Sequence, residues 1–178
     1  MKNYNYSQNG IYFITICTKN RDDFFGEIEN NKIILNKLGM IAEKYLLEIP
    51  KHFSNSILDK FIVMPNHIHL IIEICDNNND DTNNVGTADL RSLPMRSLSQ
   101  SISTNRTKML LSKIIHGFKS SVTREINKKN SNIFQWQRSF YDHIIRNETS
   151  LNKIREYIIE NPKMWERDRN NNTQNIFI

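Results

Sequence analysis

Two histidines one residue apart, His67 and His69, are the side chains of this sequence best suited to chemistry. They begin an isoleucine-rich run, residues 67–75, that is typical of a β-strand. Because successive side chains of a strand point to opposite faces, both imidazoles lie on one face, roughly 7 Å apart along the chain. Polar groups are costly to bury in an apolar strand without a partner. The pair therefore predicts two nitrogen ligands for one metal ion, although the H-x-H pattern alone is weak.

A second candidate is a polar stripe on the predicted C-terminal helix. Lys153, Tyr157 and Asn161 are spaced by four residues and so share one helix face. A tyrosine in such a position is ordinarily an edge residue of an amphipathic helix. Beside the histidine pair it becomes a candidate nucleophile, next to a candidate third metal ligand. Tyr141, which shares a predicted strand face with His143, is the rival nucleophile.

The elements that must position these residues follow from apolar periodicity and turn residues. The first half of the chain predicts a strand at 11–18, a polar loop at 19–26 and a short strand at 32–35. A helix at 36–50 and a two-stranded hairpin at 56–75 should follow. Pro50 should end the helix. The hairpin strands must pair antiparallel, because only the short turn at Pro65 and Asn66 separates them.

The second half of the chain opens with a polar tract, residues 76–107, that lacks periodicity and predicts a mobile insertion or functional loop. A helix should follow at 111–126, then one or two short strands within 133–146, and a final helix at 150–161. Thr149 or Ser150 should cap the final helix and Pro162 should end it. Residues 166–178 predict a frayed tail. All of these elements fit a single domain of residues 1–178.

The composition predicts a soluble intracellular protein with a polyanionic partner. The formal charge is +5, and the two cysteines, Cys17 and Cys75, are isolated and form no zinc pattern. No N-terminal stretch resembles a signal peptide, and no apolar run approaches membrane-spanning length. We therefore expect no membrane partner.

Positive charge is concentrated on the predicted helix at 111–126 and its flanks, which favours contact with a phosphate backbone over the alternative of solvated surface lysines. The residues predicted to contact a nucleic-acid backbone are Lys113, His116, Lys119, Arg124, Arg138 and Lys153. Tyr12, Trp136 and Phe140 are candidate stacking partners for bases.

Four motifs together resemble the REP-associated tyrosine transposases, which belong to the single-tyrosine HUH superfamily of single-stranded DNA transposases. The motifs are VMPNHIHL at 63–70, HGFKS at 116–120, WQRSFYDHIIR at 136–146 and IREYIIENP at 154–162. Each is modest alone, but they occur in the family's order. The resemblance covers residues 10–165.

This resemblance implies an α+β, ferredoxin-like fold in which helices back an antiparallel sheet. It implies that Tyr157 attacks a DNA phosphate to form a 5′-phosphotyrosyl link, and that His67, His69 and Asn161 bind one divalent ion, Mg²⁺ or Mn²⁺. The insertion-sequence branch of the superfamily typically has glutamine, longer by one methylene, where this chain has Asn161. The implied substrate is single-stranded or hairpin DNA of the repetitive extragenic type, met in the cytoplasm at the nucleoid by a monomer or homodimer.

The implied chemistry agrees with the properties of the residues. A phenol, with an ordinary pKa of about 10, is a poor nucleophile at neutral pH unless a positive centre assists it. Because imidazole nitrogens suit transition metals, we expect Mn²⁺ to support activity at least as well as Mg²⁺. Three alternatives stay open: a domesticated DNA-hairpin-binding protein without cleavage activity, a metal-binding protein of unrelated function, and a nuclease of the rolling-circle replication type.

Overall fold

The computed structural model describes residues 9–75, 95–128 and 134–171. Its strands and α-helices, in chain order, are β1 (Asn9–Cys17), β2 (Gly26–Glu29), β3 (Lys32–Leu35), α1 (Lys37–His52), β4 (Ser56–Val63), β5 (His67–Cys75), α2 (Met95–Asn127), β6 (Tyr141–Ile145) and α3 (Glu148–Glu160). Two short 3-10 helices cover Lys19–Arg21 and Asn161–Arg167.

Four strands form one antiparallel sheet in the order β4-β5-β1-β6. Helix α1 connects β1 to β4, and α2 connects β5 to β6, so the chain follows the β-α-β-β-α-β arrangement of ferredoxin-like folds. The predicted α+β, ferredoxin-like class is confirmed. The remaining strands, β2 and β3, pair with each other in a separate hairpin.

One face of the sheet carries the main apolar core. Ile68, Leu70 and Ile72 of β5 are fully buried there, together with Leu46 of α1 and Phe118 of α2. Burial of each such side chain stabilises the fold by about 1.5–3 kcal/mol. Since these β5 residues alternate with the histidines, the predicted separation of apolar and histidine faces is confirmed.

Helix α3 covers the opposite face of the sheet. Ile11, Ile71 and Ile145, from three neighbouring strands, pack there against Ile158 of α3. His69 lies on this same face because it is two residues before Ile71. The apolar contacts of α3 therefore bring its other side chains over the histidine pair.

Helix α1 begins at a capped terminus and runs past the proline that was expected to end it. The Asn36 side chain accepts hydrogen bonds from two backbone N–H groups, at 2.8 and 3.0 Å. The prediction that Pro50 ends the helix is wrong, since α1 continues to His52. Proline removes one donor from the helix, but the Phe53 N–H still bonds to the Ile49 carbonyl at 3.0 Å and closes the last turn.

Helix α2 is longer than its apolar stripe predicts. Residues 95–107 of the predicted polar insertion are helical rather than aperiodic, while residues 76–94 lie outside the described residues. A helix that is already nucleated extends at little cost, because each added residue gains one backbone hydrogen bond. The packed apolar stripe at 111–126 therefore stabilises the helical conformation of the residues that precede it in α2.

The start of α3 also differs from the prediction. Asn147, not Thr149 or Ser150, is the N-cap: its side chain accepts a hydrogen bond from the Ser150 N–H at 2.8 Å. The α-helix ends at Glu160, as Pro162 predicts. Strand β6 is shorter than the predicted 133–146 segment.

The segment after α3 packs back onto the sheet. Asp168, Asn170 and Asn171 are buried. The prediction of a frayed tail is therefore wrong for residues 166–171, while 172–178 lie outside the described residues. Within the described parts of the chain, no helix has the length and apolar character needed to cross a membrane.

Candidate metal and tyrosine site

His67 and His69 lie at the start of β5, where the sheet meets α3 and the segment after it. Both are buried, with 0% and 2% of their surface exposed. Their Nε2 atoms are 3.1 Å apart. The Nδ1 atoms face away from each other, to the Asn66 side-chain oxygen at 2.9 Å and to the Thr15 hydroxyl at 2.9 Å.

The hydrogen bonds of Asn66 determine which nitrogen of His67 carries the proton. Its amide nitrogen donates to two backbone carbonyls, those of Arg21 (3.0 Å) and Asn170 (2.9 Å), so its oxygen is the atom left for His67. His67 Nδ1 must then donate, and its Nε2 carries a lone pair. The Thr15 hydroxyl can accept from His69 in the same way. Two Nε2 lone pairs facing each other repel unless a cation lies between them.

The charge state of the two rings is also the one that metal binding requires. Burial lowers the pKa of His67 to about 3, with a smaller contribution from the nearby guanidinium groups of Arg21 and Arg169. Burial lowers the pKa of His69 well below its usual 6.5, and the His67 ring adds to the effect. Both imidazoles are therefore neutral at pH 7, and neutral imidazole is the ligand form.

Asn161, the predicted third ligand, reaches the same place from the end of α3. It is 1% exposed, and its amide nitrogen lies 3.4 Å from a carboxylate oxygen of Asp168. Its Oδ1 is buried and has no hydrogen-bond partner among the described residues. A buried carbonyl oxygen without a partner is costly in a folded protein. Such an oxygen beside two neutral imidazoles fits a divalent cation.

Asp168 is the site residue that the sequence analysis missed. One carboxylate oxygen of Asp168 and one ring nitrogen each of His67 and His69 lie within 4.8 Å of one another. The backbone N–H of Asn170 donates to Oδ1 of Asp168 at 2.6 Å and fixes the carboxylate in place. The indication available in the sequence is Trp165, a large aromatic residue three positions before Asp168; its ring stacks on His67 at 6.0 Å between centroids.

Tyr157 projects from α3 toward the histidine pair. Its phenol oxygen lies 3.3 Å from His69 Nε2, and Phe13 contacts its ring edge-on at 6.0 Å. Burial raises the pKa of the Tyr157 phenol, and the negative charge of Asp168 raises it further. Without a cation the phenol stays protonated at neutral pH, so this tyrosine needs the positive centre that the neighbouring ligands can hold.

Four of the six predicted DNA-contacting residues line one cavity of about 680 Å³, which we call the basic cavity. Trp136 and Phe140, two of the proposed stacking residues, line it as well. Tyr12, the third, is 2% exposed in the main core, so its prediction as a stacking residue is wrong. The four basic residues of the cavity are His116, Lys119, Arg124 and Arg138.

Lys119 differs from the other basic residues because its ammonium group holds the backbone. It donates to the carbonyls of Gln137 at 2.6 Å and Arg138 at 3.2 Å. Partial burial lowers the pKa of Lys119. The other two predicted contacts are exposed elsewhere, Lys113 on α2 and Lys153 on α3, one turn before Tyr157.

Comparisons with known proteins give one sequence relative of high coverage and one informative structure. An uncharacterised protein of Haemophilus influenzae is 40% identical over 170 residues, which are 95% of this chain and 89% of that protein. A structure of a REP-associated tyrosine transposase bound to a REP hairpin superposes with a TM-score of 0.51, over 92% of this chain and 73% of that chain. At 19% identity this likeness establishes the fold. No family model matches the sequence.

Proposed function

Because this chain belongs to one family with the uncharacterised Haemophilus influenzae protein and has the fold of a REP-associated tyrosine transposase, we propose that it is a metal-dependent single-stranded DNA endonuclease and transposase. It cleaves and rejoins hairpin-flanked DNA through a 5′-phosphotyrosyl intermediate. The observation that carries the proposal is the 3.3 Å approach of the Tyr157 phenol to His69 Nε2, inside a buried group of metal-binding side chains.

The proposed ligands are His67, His69 and Asn161, with the Asp168 carboxylate as a fourth. Asn66 and Thr15 orient the two rings so that the Nε2 atoms, 3.1 Å apart, are the nitrogens that would hold a divalent ion. A divalent ion bound here supplies a Lewis acid that polarises the scissile phosphate and favours the phenolate form of the tyrosine. The mixed nitrogen and oxygen donors suit Mn²⁺ at least as well as Mg²⁺.

Tyr157 is the proposed nucleophile. Its oxygen forms a bond to the scissile phosphorus while the bond from phosphorus to the 3′ oxygen breaks. The phenol proton passes to water on the open side of the ring, which is 45% exposed, and the departing 3′ oxygen takes up a proton to become a hydroxyl. A 3′-hydroxyl can reverse these steps without ATP, because the phosphotyrosyl ester keeps the energy of the broken bond.

The proposed DNA surface combines the basic cavity with exposed lysines on α2 and α3. Phosphate contacts there give affinity without sequence specificity, while Trp136 and Phe140 stack on unpaired bases. The residues assigned to DNA binding are Lys113, His116, Lys119, Arg124, Arg138 and Lys153.

The test is covalent adduct formation with end-labelled, single-stranded hairpin oligonucleotides in Mn²⁺ or in EDTA, followed on a denaturing gel. Wild type should give a slowly migrating adduct in Mn²⁺ only, and Tyr157→Phe should give none. Tyr141→Phe is the matched control, because Tyr141 is 52% exposed on β6 and lies on the same side of the sheet. It should still form the adduct, because phenylalanine keeps the aromatic ring and loses only the hydroxyl.

Two results would contradict the proposal. Loss of the adduct in Tyr141→Phe, with retention in Tyr157→Phe, would reassign the nucleophile. Hairpin binding without any adduct, across a panel of hairpins and in both Mn²⁺ and Mg²⁺, would favour a DNA-binding protein without cleavage activity.

A further inference from the structure

A second cavity, of about 380 Å³, adjoins the histidine pair on the side of β1 and β6. We call it the arginine cavity, because Arg21 and Arg169 line it; its other polar lining residues include Thr15, Cys17 and Asn170. None of the sequence motifs includes either arginine. No carboxylate is among the described residues that line it. Its charge therefore suits an anion.

The arginine cavity is built into the support of the metal site. Thr15 lines it and hydrogen-bonds His69 at 2.9 Å. The Asn170 carbonyl accepts from Asn66, the residue that orients His67. An anion bound in the cavity would therefore lie next to the scissile phosphate position and share its supporting residues.

The two arginines are held in place by contacts of their own. Arg21 donates from a guanidinium nitrogen to the Arg169 backbone carbonyl at 2.7 Å. The Arg169 guanidinium lies 6.0 Å from the centre of the Tyr141 ring. Both positive charges act at the metal site, since each contributes to lowering the pKa of His67. A guanidinium keeps several donors in a planar fork that matches phosphate oxygens.

The arginine cavity also meets the basic cavity. Gln137 and Phe140 line both of them. A single strand leaving the scissile phosphate can therefore run along the side chains of Arg21 and Arg169 toward Arg138 without crossing an acidic surface among the residues that line the two cavities.

We propose that Arg169 and Arg21 bind the backbone phosphate next to the scissile one and so align the strand between the metal site and the basic cavity. This inference rests on the proposed function, since it assigns a second phosphate of the same DNA. It makes the two arginines positioning residues, because the phosphate that they hold is not the one that reacts.

The test measures DNA binding without cleavage. A hairpin oligonucleotide with a single-stranded flank, chosen from a panel for tightest binding to Tyr157→Phe protein, is titrated by fluorescence anisotropy in Mn²⁺. Arg169→Gln in that background should weaken binding about 10-fold or more and reduce the salt slope by about one. Arg167→Gln, an exposed arginine two residues away that does not line the cavity, is the matched control and should bind as the parent does.

A neutral methylphosphonate placed at each flank phosphate in turn makes the test specific. At one position the methylphosphonate should weaken binding to the parent, and Arg169→Gln should then add no further loss. Losses that are additive at every position would overturn the inference. Because binding is read without cleavage, a failed adduct assay contradicts the proposed activity and leaves this result interpretable.

Cys17 gives an independent measurement, since it lines the arginine cavity. Bound DNA should slow the alkylation of Cys17. It should leave unchanged the alkylation of Cys75, which lies at the end of β5 far from His67. Equal alkylation of Cys17 with and without saturating DNA would also overturn the inference.

Discussion

Acid should destabilise the metal-free protein through its histidine pair. In the folded state burial lowers the pKa of His67 to about 3, so its ring is neutral at pH 5, and burial shifts the pKa of His69 in the same direction. In the unfolded chain both histidines have a pKa of about 6.5 and bind protons as the pH falls. The unfolded state then binds more protons than the folded state, so stability is complete above about pH 6.5 and is lost below it.

The size of the effect follows from the same values. At pH 5, protonation of one unfolded histidine lowers the free energy of unfolding by about 2 kcal/mol, and at pH 7 by almost nothing. The His67 ring alone should therefore cost about 2 kcal/mol between pH 7 and pH 5, and the His69 ring should add to this loss in the same direction. An ordinary domain is stabilised by only about 5–15 kcal/mol, so the loss on acidification is a large part of the total stability.

The measurement is urea unfolding at pH 7 and pH 5 in EDTA, followed by tryptophan fluorescence. In His67→Asn one of the two titrating rings is gone, so the loss of stability on acidification should be smaller than that of wild type by about 2 kcal/mol. Wild-type stability that is equal at the two pH values would refute the reasoning. So would a His67→Asn variant that loses as much stability as wild type.

Two further predictions concern the metal ligands and the core. Mn²⁺ at about 100 times its dissociation constant should raise the free energy of unfolding by about 2.7 kcal/mol. Asp168→Asn should weaken Mn²⁺ binding about 10- to 100-fold, as measured by calorimetry. The control Asp142→Asn, at an exposed position of β6, should leave Mn²⁺ binding unchanged. Phe134 is fully buried among aromatic rings, so Phe134→Ala should lower the free energy of unfolding by about 3–5 kcal/mol in urea, whereas Ile34→Ala, which is 49% exposed, should change it by less than about 1 kcal/mol.

The histidine strand could be predicted from sequence because its information is local. Alternation along β5 separates the apolar residues from His67 and His69, and a two-residue turn fixes the antiparallel hairpin. The helical spacing of Tyr157 and Asn161 likewise predicts that they share a face. These statements need only the geometry of one element.

Asp168 could not be predicted in the same way. It returns to the site through the 3-10 helix Asn161–Arg167, which contains Pro162, whereas proline at that position predicts only the end of the α-helix. Its burial depends on contacts with residues about 100 positions earlier, such as the bond between Asn170 and Asn66. An asparagine-rich segment looks unstructured when only its own composition is considered. The same limit explains the helical residues before 111, whose support comes from the packed part of α2.

The site has two separate mechanical supports. The histidines belong to a central strand of the four-stranded sheet. The phenol of Tyr157 lies on α3, and the amide oxygen of Asn161 lies directly after the end of α3. A rigid shift of that helix would leave Tyr157 and Asn161 in register with each other and move both of them relative to the rings. The nucleophile and the ligand would thus approach the histidines together or leave them together. This motion therefore does not produce a site in which the metal ligands are complete and the tyrosine is absent.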